Sequence, residues 1–210
     1  MLAVHHSSIN LGQVQHIRKA ALLVAVVAGI ALMVVGDSRW PSGTVTHETI
    51  EWVGLVLIVT CILGRTWSSI YIGGRKVQSL VMDGPYSVTR NPLYLFSVLG
   101  AAGAGAQLGS IVLAVIAGAI AWLIFYLVII KEERVLIVRF GNEFRRYLSE
   151  VPRFLPNPSL WRDVDKIEVR PSIVRRTAVD ACVFLLSIPL AEGFEYLHSA
   201  DLLFAVVRLP

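Results

Sequence analysis

Two short stretches of this 210-residue chain combine residue types suited to chemistry at a membrane surface. The first runs Asp83-Gly84-Pro85-Tyr86-Ser87-Val88-Thr89-Arg90-Asn91-Pro92-Leu93-Tyr94. Asp-Gly-Pro is turn chemistry. Asn91-Pro92 reads as a helix start, a capping side chain followed by proline at the first helical position. Such a start presents free backbone N–H groups and favours an anionic group, for example a carboxylate. Arg90 adds a fixed charge and a planar fork of donors. Tyr86 and Tyr94 add aromatic faces with polar tips. The same residues also describe a plain capped helix with interfacial aromatics.

The second stretch is Lys131-Glu132-Glu133-Arg134, which follows a long apolar run. Its acids suit a ligand with a positive centre; they suit a solvated helix flank equally well. A third group, Glu192, Glu195 and His198, lies around the last apolar stretch. Ionisable groups inside a membrane invite a functional reading. Pro189 and Gly193 favour a broken helix that leaves these acids at its outer end.

The elements that must position these residues are apolar spans. Hydrophobic residues make up 55% of the chain and charged ones 16%, and the mean hydropathy is +0.66. This composition is too apolar for a water-facing surface. Spans are expected at Ala20–Gly36, at 50–72 with Arg65 as its one charge, at 93–108, at Ile111–Ile130 and at about 178–196. The third is short and rich in Gly and Ala, which lets helix backbones approach closely in lipid. Only Gln107–Ser110 separates it from the fourth, so these two form an antiparallel hairpin. That hairpin brings the Arg90-Asn91-Pro92 turn beside Glu132 and Glu133. Residues 131–150 read as a continuation of the fourth helix, broken by Pro152, Pro156 and Pro158. Residues 152–176 are expected to be irregular, and 202–207 is too short to span. The expectation is therefore an all-α, polytopic integral membrane protein of about five transmembrane helices, a single domain over 1–210, with a cofactor pocket at one face.

Basic residues concentrate before the first span, between the second and third, and after the fourth, which predicts a cytosolic N-terminus and cytosolic segments at 73–92 and 131–176. The net charge of +4 fits such loops meeting membrane lipid and calls for no nucleic acid. The first apolar run lacks a clear cleavage site and is expected to remain as the first helix. Cys61 and Cys182 both lie in apolar stretches and read as packing residues rather than a disulfide. No phosphate-binding loop, dinucleotide fingerprint or His/Cys cluster with metal-ligand spacing is visible, so no metal is expected.

Gly84-Pro-Tyr-Ser-Val-Thr-Arg-Asn-Pro-Leu-Tyr94, a helical hairpin, Glu132-Glu133-Arg-Val-Leu-Ile-Val-Arg-Phe-Gly-Asn-Glu-Phe-Arg-Arg-Tyr147 and Val151-Pro152 together resemble the isoprenylcysteine carboxyl methyltransferase family, a relation of the phospholipid methyltransferases. The resemblance covers about 71–158. It implies a membrane methyltransferase that binds S-adenosyl-L-methionine through Gln78, Ser79, Leu80, Val81, Tyr86, Asn91, Pro92, Leu93, Tyr94 and Glu132. Many family members carry His where Asn91 and Gln78 stand, and eukaryotic members carry a substrate-contacting Arg where this chain has Val128.

A carboxylate acceptor needs no strong base, so positioning and exclusion of water carry the reaction. Arg90 is the candidate to orient a carboxylate, and Glu133 the candidate base for an amine acceptor. The expected substrate is a lipidic or prenylated acid arriving from the bilayer. A phospholipid amine is the alternative acceptor, and a non-catalytic membrane scaffold or sensor the alternative role. A nicotinamide-dependent reductase ranks last, since no nicotinamide-specific feature is present.

Overall fold

The computed structural model describes residues 11–73, 79–200, 202–203 and 206–210, with backbone alone at 11–19, 21 and 22. Its helices are α1 (Leu11–Val35), α2 (Val45–Ile72), α3 (Pro85–Val88), α4 (Pro92–Ala106), α5 (Ile111–Glu150), α6 (Pro171–Cys182) and α7 (Ser187–Ser199). Strands β1 (Gly36–Ser38) and β2 (Val207–Leu209) form a two-stranded parallel sheet. Among the described residues, three helical stretches are long and apolar enough to cross a membrane: Val45–Ile72, Ile111–Glu150 and Pro171–Ser199.

Local chemistry sets several boundaries. Thr44 caps α2, its Oγ1 accepting from the His47 backbone N–H. Ser110 caps α5 in the same way through Leu113. Pro92 opens α4 at a position where the missing N–H costs nothing.

The centre of the molecule is α4, packed between α2 and α5. Glycine permits this approach. A Cβ at Gly103 would stand 2.6 Å from the Gly54 carbonyl oxygen, and one at Gly100 would stand 2.6 Å from Cys61 Sγ. The Gly/Ala composition of the third span therefore has the packing role expected of it. Inside this layer Arg65 Nη1 donates to Ser97 Oγ. The outer sides are apolar: Trp52, Val56 and Leu63 on α2, and Val115, Leu123 and Leu127 on α5, are all exposed. Such a surface suits hydrocarbon, where helices satisfy their own backbone groups. The protein is an all-α membrane protein.

Three expectations need correction. The irregular segment after α5 is shorter than 152–176, because Pro171 at a first helical position starts α6. The last apolar stretch breaks into a 3-10 turn at Val183–Leu186, upstream of Pro189. Pro189 lies in the first turn of α7, where it lacks an N–H and crowds the preceding carbonyls, so the irregularity falls before it. Cys61 is buried as expected, whereas Cys182 is exposed; both are free.

The terminal stretch folds back. Gly36, Asp37 and Ser38 pair with Val207, Arg208 and Leu209, Asp37 and Arg208 form an ion pair at 3.3 Å, and the Pro210 carbonyl accepts from Ser110 Oγ at 2.8 Å. This clasp sits at the starts of α2 and α5. The functional residues below lie at the end of α2 and beyond Ile130 on α5, roughly 30 Å away at 1.5 Å per helical residue.

Candidate active site

The site is built on the turn before α4, the middle of α5 and the strap that follows α5. Gly84 takes φ 57°, a conformation open to glycine. A Cβ there would also meet the Tyr71 ring at 2.2 Å. The strap, residues 151–163, crosses over this turn. Arg90 N donates to the Pro152 carbonyl at 2.9 Å, Asn157 N to the Val88 carbonyl at 2.9 Å, and Gly84 N to the Arg162 carbonyl at 2.7 Å. The turn is thus pinned by main-chain bonds at three points.

Along α5, Glu133, Leu136, Phe140, Phe144 and Tyr147 follow i, i+3/i+4 spacing and share one face. The helix breaks at Gly141, at φ 56°. Beyond the break, Phe144, Tyr147 and Val151 form a buried cluster packed with Leu80 and Met82. Tyr147 Oη donates to the Tyr86 carbonyl at 2.7 Å.

These elements enclose a half-open pocket with both polar and aromatic side chains in its wall. Ser79, Leu80, Val81, Tyr86, Arg90, Asn91, Leu93, Tyr94, Glu132 and Glu133 all line it. Pro92 is buried in the first turn of α4 and does not line it. Gln78 lies outside the described residues. The two stretches that sequence alone left ambiguous therefore share one cavity.

Within the pocket, Tyr94 Oη donates to Glu132 Oε1 at 2.9 Å, joining α4 to α5. Glu133 accepts from Arg153 at both oxygens, Nη2 to Oε2 at 2.7 Å and Nε to Oε1 at 3.1 Å. Arg90 Nη1 lies 3.4 Å from Glu133 Oε1. Burial lowers the pKa of Arg90 against the pull of Glu133, while the bond to Glu133 raises that of Arg153. Arg90 Nε is buried and finds no acceptor among the described residues. An unmet N–H of this kind costs about 1–3 kcal/mol. An anionic ligand group would satisfy it.

Two details differ from expectation. Asn91 makes no capping bond; its Nδ2 donates instead to the Arg153 carbonyl at 3.1 Å, tying the strap to α4. Glu133 has both oxygens occupied by guanidinium donors, so accepting a substrate proton would require breaking a charge-assisted bond. Sequence reading missed Arg153, Phe140, Phe144 and Tyr147 as parts of the site. The helical spacing of the last three was the available signal.

A second cavity, apolar and about 1250 Å³ with its open side included, lies among α1, α4, α5 and residues 180–190. Phe125 lines it, and the Phe125 ring stands 5.0 Å from that of Tyr94, which lines the first pocket. One aromatic contact thus links the walls of the two cavities.

The fold is an all-α membrane bundle with a mixed polar and aromatic pocket, and the class of membrane methyltransferases is where comparisons with known proteins place it. The model of the phospholipid methyltransferase family matches residues 49–143. A protein-S-isoprenylcysteine O-methyltransferase of Schizosaccharomyces pombe is 32% identical over 94 residues, 44% of this chain and 40% of the relative. Two relatives match over most of their length. A cobalt-zinc-cadmium resistance protein of Cupriavidus metallidurans is 34% identical, covering 89% of this chain and 85% of the relative. A nickel-cobalt-cadmium resistance protein of Alcaligenes xylosoxydans xylosoxydans is 33% identical, covering 89% and 87%. No solved structure matches. The chain belongs to one family with these two resistance proteins, and its residues 49–143 carry the phospholipid methyltransferase match.

Proposed function

We propose that the protein is an S-adenosylmethionine-dependent methyltransferase that esterifies a lipidic carboxylic acid at the cytosolic face of a multi-pass membrane fold. The observation that carries this reading is the pocket shared by Arg90, Tyr94 and Glu132 beside an apolar cavity. The residues fit the cofactor. Arg90 has an unsatisfied buried donor for a carboxylate. Glu132 and the aromatic faces suit a positive centre.

When bound, the cofactor supplies an activated methyl group on sulfonium. An acceptor carboxylate is already ionised, so its methylation would ask no proton transfer of the protein. Arg90 orients a carboxylate through its fork. The strap and the Phe140–Tyr147 wall exclude water. The apolar cavity suits the hydrocarbon part of an acceptor that arrives from lipid. The cytosolic placement rests on the basic residues flanking this end.

Calorimetric titration of detergent-purified protein with S-adenosylmethionine tests the cofactor. Saturable binding that Glu132→Gln weakens is the expected result; no binding by the wild type refutes the reading. Labelled methyl transfer to a farnesylcysteine analogue is expected to give a base-labile product. A base-stable product on phosphatidylethanolamine would instead establish the amine acceptor.

The full-length likeness to two metal-resistance proteins favours a second element of the reading, that the methylation serves resistance to divalent transition ions. A deletion strain should become sensitive to zinc and cobalt. Rescue by wild type and by a transfer-dead variant alike would make the protein a scaffold instead.

A further inference from the structure

Far from the pocket, at the start of α2, His47 meets two acids. Its Nε2 lies 3.3 Å from Glu51 Oε1, one turn along α2, and 3.1 Å from Glu195 Oε1 on α7. His47 is only 2% exposed. Nδ1 lies 3.0 Å from the Trp40 carbonyl oxygen. A carbonyl only accepts, so Nδ1 carries a proton and Nε2 is the ring nitrogen that faces the carboxylates.

Nε2 and Glu195 Oε1 are both buried without a hydrogen-bond partner. Although both carboxylate oxygens are close to Nε2, neither lies in line for a bond from it. Such a cluster calls for positive charge among its atoms, and with no N–H···O bond in line a metal cation can supply it. The two nitrogen–oxygen spacings suit one. A tetrahedral ion with ligand bonds of about 2.0–2.1 Å has ligand–ligand edges of about 3.3 Å.

The supporting contacts orient these ligands. Glu195 Oε2 accepts from Ser42 Oγ at 2.9 Å, leaving Oε1 to turn inward. The Trp40 carbonyl fixes the imidazole tautomer, a common arrangement around ligating histidines. Ser38 Oγ accepts from Trp40 N at 3.0 Å and donates to the Gly109 carbonyl at 2.8 Å. Gly109 backs the ring so closely that a Cβ would stand 2.1 Å from Nδ1. The carboxylates remain partly exposed, with side chains 33% and 19% accessible, so an ion can enter and retain water.

We propose that His47, Glu51 and Glu195 bind a divalent transition-metal ion, at the end of the bundle opposite the methyltransferase pocket. One imidazole with two carboxylates suits zinc or cobalt better than calcium or magnesium, which take oxygen ligands. The ion links α2 to α7. The proposal is independent of the methyl-transfer reading, since metal binding is measured without cofactor or acceptor.

The test is calorimetric titration of the chelator-stripped, detergent-solubilised full chain with Zn²⁺, with the Co²⁺ absorption spectrum as a second readout of a bound ion. One ion per chain is expected. His47→Gln and Glu195→Gln should each weaken affinity at least tenfold. Glu51→Gln provides a partly exposed variant should the buried ones unfold. Zn²⁺ should raise the unfolding temperature of the wild type and leave that of Glu195→Gln unmoved. His5→Ala with His6→Ala should bind as the wild type does. Absence of stoichiometric binding overturns the proposal. So does equal affinity in His47→Gln and Glu195→Gln, or loss of binding in the His5/His6 variant.

Discussion

Arg153 reaches back twenty residues to grip Glu133 with two donors, Nη2 at 2.7 Å and Nε at 3.1 Å. The grip fastens the strap to α5 just where Arg90 also approaches the same carboxylate. Glu133 is largely buried and Arg153 a third exposed. The pair is therefore a partly desolvated clamp rather than a surface ion pair, and it fixes the wall of the pocket before any ligand enters.

Removing Arg153 leaves Glu133 with Arg90 alone. Arg153→Ala should cost about 1–3 kcal/mol, less than a fully buried pair because solvent reaches the guanidinium. Thermal unfolding in detergent measures the loss. Arg153→Lys keeps the charge without the fork and should fall between.

Tyr94→Phe removes the bond to Glu132 while keeping the ring against Phe125. Affinity for S-adenosylmethionine should fall about fivefold, which corresponds to about 1 kcal/mol for one hydrogen bond. Glu132→Gln should weaken it further, because the charge is lost as well. Calorimetry orders the two variants.

Glycines 84 and 141 share a positive φ and differ in surroundings. Around Gly141 an added Cβ meets nothing within 4 Å, so Gly141→Ala should cost only the backbone strain, about 1–3 kcal/mol. At Gly84 the Cβ also collides with the Tyr71 ring. Gly84→Ala should be the more damaging by the same unfolding assay, and should also reduce cofactor binding.

The span order and the α4–α5 hairpin were legible in the sequence because their signals are local: apolar length, a four-residue connection, and Pro92 after Asn91. The pocket followed, since one hairpin suffices to bring Arg90 and Tyr94 to Glu132 and Glu133. Arg153 was not legible. Its partner is chosen by the path of an irregular strap, which no periodicity encodes. His47 and Glu51 show one-turn spacing, but nothing local points to Glu195 as their third member. A search for His and Cys clusters at ligand spacing does not single them out for that reason. The expected grouping of Glu195 with His198 also separates, because His198 Nε2 turns to the Val34 carbonyl at 3.4 Å. Three-residue strands such as β1 and β2 carry no alternation to detect.

The choice of acceptor should register in the pH profile. A carboxylic acid titrates near 3.5 and is ionised throughout the range from about 6 to 9, so its methylation should be flat there. An amine must first lose its proton, so its methylation should rise with pH. Initial rates across that range separate the two.

The β1–β2 clasp also dictates an order of biosynthesis. Gly36–Ser38 emerges early from the ribosome, and Val207–Leu209 only after every intervening helix has been made. The α4–α5 hairpin, by contrast, joins neighbours in the chain. During translation the pocket end can take shape first, while the clasped end waits for the last residues. A nascent chain stalled before Val207 should therefore protect its Arg90–Glu133 region from protease and leave the β1 loop open to cleavage.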